Sequence, residues 1–225
     1  MFQIERIFLN GCSFSGDRIK AAGVNTWPGK IVSEYFTVPL HTMISAGRGN
    51  RRIATSTLIW FAQNYKLHKG TYAIIQWSTP LRRDYTIKKP EPREGQILKW
   101  KSWKIHEEKN FMASKPKWDL DTELTLYTLE QILLLQMMFQ KNNIPYVMYQ
   151  GLNCFLETKH PDVKSLLNQI DWSRWFRPKI NQHDYCVERN WICTPNDPHP
   201  NTEGQTEWGD SLVEWIRNDI DTNYL

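Results

Sequence analysis

An α/β fold with a parallel sheet covered on both faces is predicted by three observations. Strand-type apolar runs alternate with stretches of helical period along the chain. The run Tyr72–Trp77 (Y-A-I-I-Q-W) reads as a strand buried on both faces. The length, 225 residues, suits one domain with one sizeable insertion. In such a sheet, functional groups collect beyond the carboxyl ends of the strands.

The elements follow in order. Gln3–Leu9 reads as the first strand, ending in Asn10-Gly11. A helix opens at Trp27-Pro28 and runs to Phe36, with proline in its first turn. Val38–Ile44 is a short second strand, and Arg51–Tyr65 a helix with Ile53, Thr57, Trp60, Phe61 and Tyr65 inward. Tyr72–Trp77 is stopped by Pro80. Asp119–Lys141 is the strongest helix, acidic at its start and closed by Lys141-Asn142-Asn143. Pro145–Gln150 is a further strand, and Asp162–Ile170 a short helix. The last helix spans Thr202–Ile220, with Thr202 and Gln205 spaced as a capping box.

Composition narrows the class. The chain is 40% apolar and 23% charged, hence globular. A net charge of +4 is too small to demand a nucleic acid or anionic membrane as partner. The longest apolar block, Ile132–Leu135, falls within a helical pattern, so no membrane span is expected. Met1–Asn10 reads as a strand and not as a signal peptide, which points to a cytoplasmic or virion-associated protein. The four cysteines, Cys12, Cys154, Cys186 and Cys193, form no C-x-x-C pair. Free thiols are expected, with no metal site and no cofactor.

The segment 82–117 differs from the rest. It holds eleven Lys and Arg against five acids and contains Lys-Trp-Lys-Ser-Trp-Lys at 99–104. It reads as a basic, Trp-rich insertion whose Trp100 and Trp103 pack back on the domain. It also suits a lid gripping an anionic or sugar-bearing ligand, or a single-stranded nucleic acid.

Three strand-end loops can carry chemistry. Gly11-Cys12-Ser13-Phe14-Ser15-Gly16-Asp17 follows the first strand, and its small residues leave a serine hydroxyl exposed beside backbone N–H groups. Ser45-Ala46-Gly47-Arg48-Gly49-Asn50 follows the second strand, where glycine permits close backbone approach. Asn196-Asp197-Pro198-His199-Pro200-Asn201 precedes the last helix, holding a histidine between prolines with an aspartate nearby. A general base needs that combination of reach and an orienting partner. Each loop alone also reads as an ordinary turn or helix cap.

Together, in this order, the three loops resemble the SGNH hydrolase (GDSL-like esterase/lipase) family, from Ile7 to the end of the chain. The likeness is greatest to the small type often encoded by phages. Gly11-Cys12-Ser13-Phe14-Ser15-Gly16, Trp27-Pro28, Asn50-Arg51-Arg52-Ile53 and His199-Pro200-Asn201-x-x-Gly204 carry it. The resemblance implies a three-layer α/β/α sandwich with about five parallel strands. It implies Ser13 as nucleophile, His199 as base, and the Ser13 and Gly47 N–H groups as oxyanion donors, with acyl transfer to water through an acyl-serine.

Two departures from the family pattern stand out. The third block usually supplies an asparagine as oxyanion donor, but here it reads Gln76-Trp77-Ser78-Thr79-Pro80, leaving the Ser78 hydroxyl or the Gln76 amide. The usual D-x-x-H spacing falls on Asn196, whereas Asp197 forms D-x-H with His199. Asp197 is the expected orienting acid.

The remaining candidates have plain readings. Asp17 caps a turn, His68 is solvated, His160 and His183 lie in polar loops, and His41 packs. Cys12 points away from Ser13 by alternation along an extended segment. The expected function is hydrolysis of a carboxylic ester, with O-acetyl groups on a saccharide as substrate and Trp77, Trp100 and Trp103 as stacking surfaces. The alternative is a weak or inactive SGNH-fold binding or virion structural protein, motivated by the missing asparagine and the shifted acid.

Overall fold

The computed structural model describes residues 3–16, 26–88, 98–104 and 120–223. In chain order the elements are β1 (Arg6–Gly11), α1 (Pro28–Phe36), β2 (Leu40–Ile44), α2 (Asn50–Gln63), β3 (Thr71–Trp77), β4 (Arg82–Lys88) and β5 (Leu98–Lys104). Then come α3 (Leu120–Lys141), β6 (Tyr146–Gln150), α4 (Pro161–Leu167), α5 (Gln182–Glu188), β7 (Ile192–Thr194), β8 (Asp197–Pro200) and α6 (Thr202–Asn223).

The central sheet has the order β2-β1-β3-β6, and every pairing is parallel. Alternation along the strands divides the core into two layers. Phe8, Ala73, Ile75, Tyr146 and Met148 face one side, where they meet Ile53 and Phe61 of α2 and Leu129, Ile132 and Phe139 of α3. Ile7, Leu9, Tyr72, Ile74, Val147 and Tyr149 face the other, against Val32 of α1 and Trp208, Leu212 and Ile216 of α6. The result is the expected three-layer α/β/α sandwich. Each of these fully buried large side chains contributes about 1.5–3 kcal/mol relative to exposure. Tyr65, expected inward, instead lies past the end of α2 in a 3-10 turn, where the helical period no longer holds it to the core, and it is exposed.

Among the described residues the central sheet has four strands, against the about five expected. Beyond β6, the described residues make a single parallel bridge, Met148 to Trp175, with the Phe176 N–H donating to the Met148 carbonyl at 2.9 Å. A proline two residues later (Pro178) cannot donate to a ladder, and Arg177 sits at φ +49, outside strand geometry. Pairing therefore stops after one bridge.

Where it is described, the segment read as an insertion is an antiparallel hairpin, β4 with β5, in register from Arg82↔Lys104 to Lys88↔Leu98. Asp84 fastens β4 to the start of α2. Its carboxylate accepts from the backbone N–H of Gly49 (3.0 Å) and of Arg52 (2.8 Å). A negative charge there satisfies helix-end donors and complements the helix dipole. The rest of the 82–117 segment lies outside the described residues. Among the described residues, no helix is long and apolar enough to cross a membrane.

Candidate active site

Ser13 sits at the carboxyl end of β1, on a single 3-10 turn, Ser13–Ser15, that follows extended Cys12 (φ −96°, ψ −166°). The turn is closed by the Ser15 N–H donating to the Cys12 carbonyl at 3.1 Å. Ser13 is almost wholly buried, and its Oγ lies 2.9 Å from His199 Nε2.

His199 is delivered by β8, which pairs antiparallel with β7 around the two-residue turn Pro195-Asn196. The segment read as a loop is thus, from Asp197 to Pro200, a short strand. In extended backbone, residues two apart share a face. Asp197 and His199 therefore project together, and Asp197 Oδ1 meets His199 Nδ1. The same oxygen accepts from the His199 backbone N–H at 3.3 Å. Asn196 is exposed in the turn.

The hydrogen-bond roles follow from chemistry. A carboxylate can only accept, so the neutral imidazole carries its proton on Nδ1. Nε2 is left as acceptor for the Ser13 hydroxyl. The Phe14 ring stacks on the imidazole with centroids 4.7 Å apart and an interplanar angle of 27°. The ring is thereby held by a carboxylate at one edge and an aromatic face along its plane. Phe14 also meets His183 edge-on at 5.8 Å, and His183 Nδ1 pairs with Asp184 at 2.7 Å. Despite desolvation, hydrogen bonds from His183 and Asn181 hold the Asp184 carboxyl below its usual range.

Gly47 lies three residues beyond β2, whose Ile44 is in register with Gly11 at the end of β1. This puts the Gly47 loop beside the Ser13 turn. Gly47 has φ +73, a conformation that favours glycine, and open space where a Cβ would stand. The next residue, Arg48, is buried, donating to Asn10 Oδ1 (2.8 Å) and to Ser56 Oγ (3.2 Å). Burial, with repulsion from Arg52 and partial relief by Asp84, lowers its guanidinium to about 10.

The third-block residues are bound into the fold. The Ser78 N–H donates to Asn50 Oδ1 (2.8 Å) and its carbonyl accepts from Asn50 Nδ2 (3.0 Å). Its hydroxyl accepts from Arg82 at 3.1 Å. Gln76 is fully buried, with Oε1 receiving the Cys12 N–H and Nε2 donating to Gln182. The Gln76 amide is thus spent within the core rather than free to face a substrate.

One expected ligand surface is corrected. Trp77 has no solvent exposure and packs in the core between the sheet and α2/α3, so it offers no ring face to a substrate. Strand alternation and burial of β3 on both sides put it there. The side chains of Trp100 and Trp103, and Asp17 as a whole, lie outside what the structure describes. His68 is also not simply solvated: Nε2 lies 2.8 Å from the Phe61 carbonyl in the last turn of α2. His160 caps α4 through the Asp162 N–H, and His41 stacks on Phe8. Thr202 and Gln205 do not form a capping box. Asn201 caps α6 through the Gly204 N–H at 3.0 Å, and Gln205 turns inward. Among the described residues no cluster of three or more His, Cys, Asp or Glu is placed to hold a metal.

Sequence reasoning missed Phe14, Gln182 and Asp84 as neighbours of this site. Only tertiary contact brings Gln182 and Asp84 there, across sequence separations that no local pattern spans.

No protein-family model and no curated protein matches the chain. Solved structures do resemble it. The psychrotrophic esterase EstA from Pseudoalteromonas sp. aligns with a TM-score of 0.51 at 12% identity, over 97% of this chain and 100% of that one. A G-D-S-L family protein from Desulfitobacterium hafniense aligns at TM-score 0.44 and 10% identity, over 94% and 99%. LAE5, an alpha/beta hydrolase enzyme from the metagenome of Lake Arreo, Spain, aligns at 0.49 and 10%, over 96% and 97%. At these identities the likeness speaks to architecture: the chain has the three-layer α/β/α fold that it shares with the esterase EstA.

Proposed function

We propose that this protein is a serine esterase of the SGNH type, with Ser13 as nucleophile, His199 as general base and acid, and Asp197 as the residue that orients it. The observation carrying the reading is the continuous Ser13–His199–Asp197 hydrogen-bond line. In the first half-reaction Ser13 Oγ attacks the ester carbon as its proton passes to His199 Nε2. The carbonyl pair moves onto oxygen, facing the Ser13 and Gly47 N–H groups. Collapse expels the alcohol, which takes the proton back from Nε2. Water then repeats the sequence on the acyl-serine, releasing the acid and restoring Ser13.

Similarity in fold to an esterase supports this chemistry. The proposal extends to a short acyl group, such as acetyl on a saccharide. Its support is the lack of a long apolar run suited to a lipid-binding tunnel.

Hydrolysis of p-nitrophenyl acetate, p-nitrophenyl octanoate and a peracetylated disaccharide tests the reading. We expect turnover above a Ser13→Ala blank, with kcat/KM for acetyl at least about tenfold above octanoyl. No turnover of any ester overturns it. One observation favours the alternative of a binding or virion structural protein in the same cleft: the Ser78 backbone is tied to Asn50 and leaves only a hydroxyl as third donor. That protein would bind an acetylated sugar without releasing acetate.

A further inference from the structure

Three glutamines with no solvent exposure form one hydrogen-bonded chain: Gln76 on β3, Gln182 at the start of α5 and Gln205 in the first turn of α6. Gln76 Nε2 donates to Gln182 Oε1 at 3.0 Å, and Gln182 Nε2 donates to Gln205 Oε1 at 3.2 Å. Both ends close on the backbone of the Ser13 turn. The Cys12 N–H donates to Gln76 Oε1 at 3.0 Å, and Gln205 Nε2 donates to the Phe14 carbonyl at 3.1 Å.

The polarity of this chain is set from both ends. A backbone N–H only donates, so Gln76 presents oxygen to Cys12 and nitrogen to Gln182. The same step repeats through Gln182 and Gln205. A backbone carbonyl only accepts, which again requires nitrogen at the Phe14 end. Flipping any one amide would oppose two oxygens or two nitrogens. The fold also makes room for the chain: a Cβ at Gly11 or at Gly151 would stand 2.7 Å from Gln76 side-chain atoms.

Burying three amides costs desolvation that an apolar filling avoids. What the chain gains is a grip on the two residues flanking Ser13. Successive N–H groups of an extended backbone point to opposite sides. With the Cys12 N–H drawn into the core, the Ser13 N–H is turned away from it.

We infer that Gln76, Gln182 and Gln205 are positioning residues for the Ser13 turn, fixing the direction of its N–H and the aim of its Oγ at His199. The inference rests on the serine-esterase reading above.

The test compares Gln182→Met and Gln205→Met with Gln136→Met. Gln136 is likewise buried and brackets backbone groups, the Gln169 carbonyl (2.9 Å) and the Asp171 N–H (2.8 Å), but on α3 and outside this chain of amides. For the two ring variants, kcat on p-nitrophenyl acetate and the rate of fluorophosphonate labelling should fall about 10- to 100-fold. KM should stay within about twofold, and deuterium exchange should quicken in the peptide covering Cys12–Phe14. Gln136→Met should lose stability and keep wild-type kcat. If Gln182→Met does not fold, Gln205→Met, which cuts only the last link, carries the test. Wild-type labelling at Ser13 with unchanged kcat in the ring variants, or an equal loss of kcat in Gln136→Met, overturns the inference and leaves the esterase reading intact. A folded wild-type protein that is never labelled overturns both.

Discussion

Asp197 and His199 project from the same face of β8, two residues apart, and one carboxylate oxygen meets both the Nδ1 and the backbone N–H of the histidine. This is how a D-x-H spacing brings a carboxylate to the imidazole. A spacing of three brings two side chains together on a turn or helix, whereas a spacing of two does so on a strand. The β7–β8 pairing supplies the strand.

On the proposed reading the orienting carboxylate is Asp197, which meets His199 Nδ1, and not Asn196. Asp197→Asn should lower kcat by roughly 10²- to 10⁴-fold, because the amide no longer selects the Nδ1–H tautomer. The lower end allows for a carboxylate that is 48% exposed. Asn196→Ala should leave kcat unchanged. Steady-state kinetics of the two variants decide the matter, and the reverse ranking would move the acid to Asn196's position.

The two glycines of the second loop fail for different reasons when changed to alanine. Gly47→Ala meets no atom but holds φ +73, costing about 1–2 kcal/mol of backbone strain. Gly49→Ala would place Cβ 2.5 Å from the Arg82 carbonyl oxygen and 2.7 Å from Asp84 Oδ2, and overpacking of this kind costs up to about 3 kcal/mol. Urea titration should rank Gly49→Ala as the less stable, while Gly47→Ala should show the larger loss of kcat per unit of stability lost.

Asp84 couples the β4–β5 hairpin to the second loop. Asp84→Ala leaves the Gly49 and Arg52 N–H groups without their acceptor and should cost about 1–3 kcal/mol. Deuterium exchange should rise at Gly49–Arg52 and in β4, and stay at the wild-type level in β6. Exchange confined to the hairpin would contradict the coupling.

The thiols should take no part in the reaction. Burial pushes Cys154 well above the ordinary thiol range and Cys186 up to about 12, the latter partly offset by Arg189 and Arg177. Burial, aided by the Asp197 charge, also raises Cys193. A thiol is reactive as thiolate, and a raised pKa keeps it protonated at pH 8. Cys12 is fully buried with Sγ 3.3 Å from Gln76 Oε1, facing the glutamines rather than His199. Iodoacetamide at pH 8 should spare esterase activity, and Ellman's reagent should count four thiols only after denaturation. Loss of activity on alkylation would contradict this.

Much of the scaffold was legible in the residues. The apolar runs of β1, β3 and β6 and the helical periods of α2, α3 and α6 are the strong local signals, and they fall within a few residues of the observed elements. The serine, glycine and histidine loops are readable because each must follow or precede a strong element. What escaped depends on distant contact. Gln205 sits where a capping box predicts it, yet its partner is Phe14, 191 residues away. Trp77 looks like a binding residue by type, but β3 is covered on both sides. The β4–β5 hairpin was hidden because Lys and Trp in 99–104 do not keep a strict period of two. Beside β6 the pairing is limited to the Met148–Trp175 bridge, because Arg177 and Pro178 leave strand geometry just beyond it.

The most direct measurement is fluorophosphonate labelling of the folded protein, read by intact mass and peptide mapping, with Ser13→Ala and His199→Ala alongside. The account predicts one adduct per chain, on Ser13, absent in Ser13→Ala and slowed at least about 10²-fold in His199→Ala. A folded wild-type protein that takes no adduct, or takes it on a residue other than Ser13, would contradict the assignment of Ser13 as an activated nucleophile.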